Sequence, residues 1–164
     1  MKVGIVMGSK GDFEVVKPAI KILKSFGIET ETRVLSAHRT TDEALSFTKS
    51  ALDNGFKVII AAAGKAAHLP GVLASVTPLP VIGLPVQTSI MGGIDSLFSI
   101  VQMPKGVPVL TVGVNAAENA ALSALRILSL MDEDILAQYE AYVQDMKKDV
   151  ERQDQDVQNL AKEV

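Results

Sequence analysis

Hydrophobic positions along the chain alternate between two periods. Short, almost continuous apolar runs are separated by longer stretches whose apolar residues recur every three or four positions. "KVGIVMG" predicts a strand ending near Met7. Asp12–Phe26 predicts a helix, with Val15, Val16, Ile20, Ile22, Leu23 and Phe26 as its apolar face and Gly27 as its stop. A second strand is expected over 29–35 and a second helix over Thr41–Asn54, closed by Gly55. "KVIIAAA" is apolar throughout, as a strand covered by helices on both faces would be. "LPVIGLPV" and "VPVLTVGV" predict the fourth and fifth strands, with a short helical stretch after Gly92 and Gly93 between them.

Strands alternating with helices imply right-handed crossovers and a parallel sheet, hence a three-layer α/β sandwich with an expected strand order of 2-1-3-4-5. From Asp132 the pattern changes. Leu136, Tyr139, Val143, Met146, Val150, Val157, Leu160 and Val164 step by three and four, with one gap near Gln153, and make a narrow stripe on a charged helix. A helix of about 30 residues would run ~45 Å, longer than a small domain is wide. Docking on neighbouring subunits is therefore the preferred expectation over docking on its own domain. Residues 1–131 are expected to form one catalytic domain and 132–164 a helical tail.

Composition narrows the chemistry. The 164 residues include no cysteine, which removes thiolate nucleophiles, disulfides and cysteine-bound metals. Two histidines without a dense carboxylate cluster argue against a protein-built catalytic metal site. A formal net charge of −3 without a basic block argues against nucleic acid as partner. No apolar stretch reaches the ~20 residues that a membrane-spanning helix needs, and no cleavable leader is evident, so the expectation is a soluble cytoplasmic protein.

In an open parallel sheet, ligands bind outside the carboxyl ends of the strands. Three polar stretches fall there: "MGSKGD", "LSAHRT" and "AAGKAAHLPG". In the first, Gly8, Ser9 and Gly11 precede a helix, so backbone N–H groups and the Ser9 hydroxyl can approach a phosphate, or the turn is simply capped by Asp12. In the second, Arg39 offers a planar fork of donors to a phosphate, and His38 supplies an imidazole, the side-chain type whose unperturbed titration suits proton transfer near neutrality. A surface His-Arg pair without a role is the competing reading. The third stretch, with Gly64 and several alanines, either closes around a small anion or planar group or serves as a tight connection with His68 packed inside it.

"GIVMGSKGD", "VLSAHRT", "AAGKAAHLPG", "PVIGLPVQTS" and "DSLFSIVQMPKGVPV", in this order, resemble the successive motifs of the 5-(carboxyamino)imidazole ribonucleotide mutases, the catalytic subunits of phosphoribosylaminoimidazole carboxylase. The match covers about residues 3 to 130 without a large insertion. The resemblance implies a flavodoxin-like αβα subunit, a homo-octamer with sites at subunit contacts, and a cofactor-free transfer of a carboxylate from the exocyclic amine to the adjacent ring carbon during purine synthesis. It implies that Ser9 and Arg39 hold the phosphate, Asp12 holds the ribose hydroxyls, and His38 moves protons with Ser36 shaping its loop. Gly64, Lys65, Ala66 and His68 would line a pocket that retains CO2, with His68 either exchanging protons or packing.

Two positions depart from that pattern. Gly11 stands where a second serine is usual, which predicts weaker substrate binding. Lys65 stands where glycine is common, and its ammonium either faces the pocket or points to solvent. The nearest alternative is the direct carboxylase that uses free CO2, for which lysine would be expected in place of Arg39. A flavin-binding electron carrier would want stacking aromatics, and the chain has two tyrosines, five phenylalanines and no tryptophan. A pure assembly module would rest on the tail alone.

Overall fold

The computed structural model describes residues 1–163. Its sheet is built from β1 (Lys2–Met7), β2 (Glu29–Val34), β3 (Phe56–Ala63), β4 (Val81–Pro85) and β5 (Leu110–Thr111), all parallel, in the order β2-β1-β3-β4-β5. Between and after the strands run α1 (Phe13–Ser25), α2 (Thr41–Lys49), α3 (Leu69–Ala74), α4 (Ile94–Val101), α5 (Ala117–Leu128) and α6 (Glu133–Ala161). This is the expected flavodoxin-like three-layer arrangement.

Side chains alternate across the sheet, and each face has its own core. Val3, Ile5, Met7, Val58, Ile60, Ala62, Ile82 and Leu84 meet α1 and α5 on one face. Val6, Ile59, Ala61, Ala63 and Val81 meet α2, α3 and α4 on the other. Because β3 is covered on both sides, its sequence is apolar without alternation. A register shift opposite Lys2 and Val3 turns Phe56 to the same face as Ile59, where it packs edge-on to Phe47.

Three expectations change. α2 stops at Lys49 rather than Asn54. The Ser50 hydroxyl donates to the carbonyls of Ser46 and Phe47, the helical ladder gives way to turns, and Gly55 closes them at φ +83°. The fifth strand contributes only two ladder residues, because it is an edge with one neighbour and Pro108 removes a donor just before it. Helix α5 occupies a stretch left unassigned by the periodicity. Ala117, Ala120, Ala121 and Ala124 are all buried, so a face of small residues lets α5 lie close to the sheet.

Helix α6 is capped by Asp132, whose carboxylate accepts from the N–H groups of Asp134 and Ile135. Its first turns dock on their own domain: Ile135 is buried, and Tyr139 and Tyr142 pack on the α1/α5 core, Tyr142 edge-on to Phe26. Leu136, assigned above to the stripe, is exposed instead. From Met146 onward the stripe leaves the domain, with Met146, Val150, Val157 and Leu160 each at least half exposed. Val164 lies outside the described residues. Among the described residues, no helix is long and apolar enough to cross a membrane.

Candidate active site

The carboxyl ends of β1 to β4 open into one cleft of about 500 Å³, large enough for a mononucleotide-sized ligand. A groove beside Lys2 and one between α5 and α6 are larger, at about 750 and 690 Å³, but neither contains a histidine. Ser9, Asp12, Ser36, His38, Arg39, Gly64, Lys65, Ala66 and His68 all line the 500 Å³ cleft, whereas Gly11, also singled out above, does not.

The loop after β1 is folded by Asp12. Its Oδ2 accepts from the Ser9 N–H at 3.1 Å and the Ser9 hydroxyl at 3.2 Å. Asp12 occupies the N-cap position of α1 but makes no side-chain cap bond there; its carboxylate instead closes a capping box with Ser9 on the short 3-10 turn Lys10–Asp12. Gly11 does not have left-handed backbone, and a Cβ built on it would meet only the Ser9 hydroxyl, at 3.4 Å.

The loop after β2 is closed on itself. The Ser36 N–H donates to Thr40 Oγ1 at 2.8 Å, and the Thr40 N–H returns to the Ser36 carbonyl at 3.1 Å. Ser36 Oγ lies within reach of the N–H groups of His38 and Arg39 and of Arg39 Nε, at 3.3 to 3.4 Å. Arg39 Nη2 then donates to the Gly8 carbonyl at 3.2 Å, tying the second loop to the first. The same loop thus sends Arg39 to the loop after β1 and His38 past it to the loop after β3.

His38 reaches the loop after β3. Its Nε2 lies 2.7 Å from His68 Nδ1, and the rings meet edge to face. One nitrogen of this contact donates and the other accepts, so the pair shares a single hydrogen between the rings. His68 sits at the start of α3, immediately before Leu69 and Pro70, which are both buried and anchor it. It is therefore part of the cleft rather than a packed core ring. Lys65 is exposed, with φ +58°, and Ser99 Oγ contacts its carbonyl at 3.5 Å. That left-handed backbone is where glycine carries no steric cost, which gives a physical reason for the residue type usual in the resembling family.

Sequence reading missed the fourth wall. Gln87, Thr88 and Ser89 follow β4 and line the cleft. Thr88 Oγ1 donates to Asp95 of α4 at 2.7 Å, and Gln87 is paired with Asn115. The signal was available: a polar Gln-Thr-Ser run at the carboxyl end of the fourth predicted strand obeys the same rule that selected the other three loops.

The model of the AIR carboxylase family matches residues 2–149. The N5-carboxyaminoimidazole ribonucleotide mutase of Pyrococcus horikoshii is 52% identical over 149 residues, covering 91% of this chain and 84% of that protein. The chloroplastic phosphoribosylaminoimidazole carboxylase of Vigna aconitifolia is 49% identical over 150 residues, 92% of this chain but 27% of the plant protein. The crystal structure of Treponema denticola PurE superposes with a TM-score of 0.86 at 30% identity, covering 93% of this chain and 96% of that one.

Proposed function

The chain belongs to the AIR carboxylase family, and from this premise we propose that it is the mutase that interconverts 5-(carboxyamino)imidazole ribonucleotide and 4-carboxy-5-aminoimidazole ribonucleotide in purine biosynthesis. The observation that carries the mechanism is the splayed loop after β2, which sends Arg39 to the Gly8 carbonyl and His38 to His68. One end of the cleft is thereby equipped for an anion and the other for a proton.

In this reading Ser9 and Arg39 hold the phosphate and Asp12 the ribose hydroxyls, with the ring lying toward Gly64–His68. His38 gives a proton to the exocyclic nitrogen as its bond to the carboxylate carbon breaks, releasing CO2 and a neutral amine. The adjacent ring carbon attacks the retained CO2, a carbon–carbon bond forms, and the hydrogen on that carbon passes to His38. The histidine ends as it began, and no proton or electron is consumed. His68, with Nδ1 2.7 Å from His38 Nε2, holds the His38 ring in place through that contact. The wall of Gly64, Lys65 and Ala66 keeps CO2 beside its acceptor, so recapture is intramolecular and does not depend on dissolved CO2.

We also propose a homo-octamer, with residues 1–131 carrying the site and 132–164 serving assembly. The exposed stripe of Met146, Val150, Val157 and Leu160, together with exposed Ile90, Met91, Phe98 and Val101, supports assembly, since a monomer would leave this apolar surface in water. A cytoplasmic location goes with a phosphorylated substrate, which an apolar bilayer retains.

The test is carboxylate migration without ATP or added bicarbonate, for the wild type and His38→Asn. The wild type should form the carbon acid, and the variant should lose roughly 10²–10⁴-fold in kcat. Turnover that starts from the decarboxylated nucleotide and requires high bicarbonate would assign the protein to direct carboxylation. An unimpaired variant would remove His38 from the proton path.

A further inference from the structure

We propose that Gln87 is a further substrate-binding residue, whose side-chain NH2 donates to the carboxylate that migrates, and that Asn115 is the positioning residue that holds it in this orientation. The inference rests on the mutase reading.

The hydrogen bonds assign every atom of the pair. The Gln87 backbone N–H donates to Asn115 Oδ1 at 2.9 Å, so the other Asn115 atom is its nitrogen. That nitrogen donates to Gln87 Oε1 at 3.1 Å, which uses the oxygen of the glutamine. Gln87 is one of the residues lining the cleft, and its Nε2 donates no hydrogen bond among the described residues. Asn115 is itself built in: its N–H donates to the Pro85 carbonyl at 2.8 Å, and its φ of +57° is one that asparagine tolerates better than most residues.

Placement along the sheet tells what this donor meets. The phosphate donors Ser9 and Arg39 follow β1 and β2, so the ring and its carboxylate extend toward β3 and β4. There, a Cβ on Gly64 would meet Val86 and Thr88 at 3.5 to 3.6 Å, which shows that the β3 and β4 loops are in contact. Gln87, between Val86 and Thr88, flanks that seam. A neutral donor also suits the chemistry better than a cation. A fixed positive charge would stabilise the bound carboxylate more than neutral CO2 and would deepen the ground state.

The experiment is steady-state mutase kinetics of Gln87→Met, Asn115→Asp and the double variant. Gln87→Met keeps the length but removes the donor, and should raise KM roughly tenfold with little change in kcat. Asn115→Asp supplies two acceptors, so the glutamine amide turns and presents its oxygen to the carboxylate. KM should rise at least as much, with the thermal midpoint unchanged. Because that effect runs through the amide, Asn115→Asp should add nothing in the Gln87→Met background. An unchanged KM for Gln87→Met overturns the proposal, and additive effects in the double variant overturn the role of Asn115. A wild type without mutase activity would instead sink the functional reading beneath both.

Discussion

Adding one methyl group at Gly83 should destabilise the protein by an amount that the packing around β4 sets. A Cβ there would stand 2.4 Å from Ile100 Cγ2 and 2.9 Å from Val109 Cγ1. Carbon atoms rest 3.5–4.0 Å apart, so Ile100 would have to retreat by about 1 Å. It is 1% exposed and has nowhere to go without moving α4. Overpacking of this kind costs about 1–3 kcal/mol. The backbone of Gly83 is not left-handed, so the alanine recovers roughly 0.4–1 kcal/mol by restricting the unfolded chain. A net loss of about 1–2 kcal/mol corresponds to a fall in Tm of about 2–8 °C for a domain of this size. The assay is thermal unfolding of Gly83→Ala, Ile100→Leu and the double variant. Leucine moves the branch from Cβ to Cγ and vacates the position of Cγ2, so the double variant should recover part of the loss. Because α4 also holds Thr88 through Asp95, the single variant should show a raised KM as well. An unchanged Tm, or a double variant no better than the sum of the singles, would refute the reasoning.

Three further outcomes follow from particular contacts. Gly11→Ser should lower KM a few-fold without loss of Tm, since the added Cβ meets only the Ser9 hydroxyl and the new hydroxyl adds one more donor beside the proposed phosphate site; an unchanged or raised KM would show that this hydroxyl has no access to substrate. The Lys2 ammonium, 2.8 Å from Glu31 and assisted by Arg33, holds the Glu31 carboxyl below its ordinary pKa of 4.5, and the same hydrogen bond raises Lys2 above 10.5 against the opposing effect of desolvation. The pair's contribution is thus present between these limits and is lost as pH falls through the depressed Glu31 value or rises through the raised Lys2 value, so the stability gap between wild type and Glu31→Gln, read by denaturant midpoint, should narrow steadily as the pH is lowered below 4.5, and a gap independent of pH there would refute it. Deleting residues 150–164 leaves Ile135, Tyr139 and Tyr142 on the core but removes the outer stripe; light scattering should then report a smaller assembly of folded subunits, and an unchanged mass would end the assembly role of the tail.

The local pattern carried much of this protein. Continuous apolar runs located the strands and period-three-to-four hydrophobicity most helices, because each element must bury one face or both against its neighbours. Their alternation, with the handedness of crossovers, led to a parallel sheet, while the strand order 2-1-3-4-5 was an expectation that the sequence does not fix and the sheet bears out. The rule that ligands meet the carboxyl ends of parallel strands drew attention to Ser9, Arg39, His38 and His68 before any geometry was known. The residues between Val114 and Asp132 were less legible, since the alanines that let α5 approach the sheet carry little hydrophobic periodicity.

What tertiary structure alone decided are relations between distant segments. His38 and His68 are 30 residues apart, and their 2.7 Å contact exists only because β2 and β3 flank β1 with their carboxyl ends aligned. Gln87 and Asn115, 28 apart, find each other across the ends of β4 and β5. The inward face of α6 passes through Ile135 rather than Leu136, a rotation set by where Phe26 and α5 offer a surface. A sequence determines which faces are apolar and which loops are polar, since those follow from each residue's own chemistry. Which loop meets which is fixed by the packing of the whole sheet, and the 2.7 Å pairing of His38 with His68 belongs to that second kind of information.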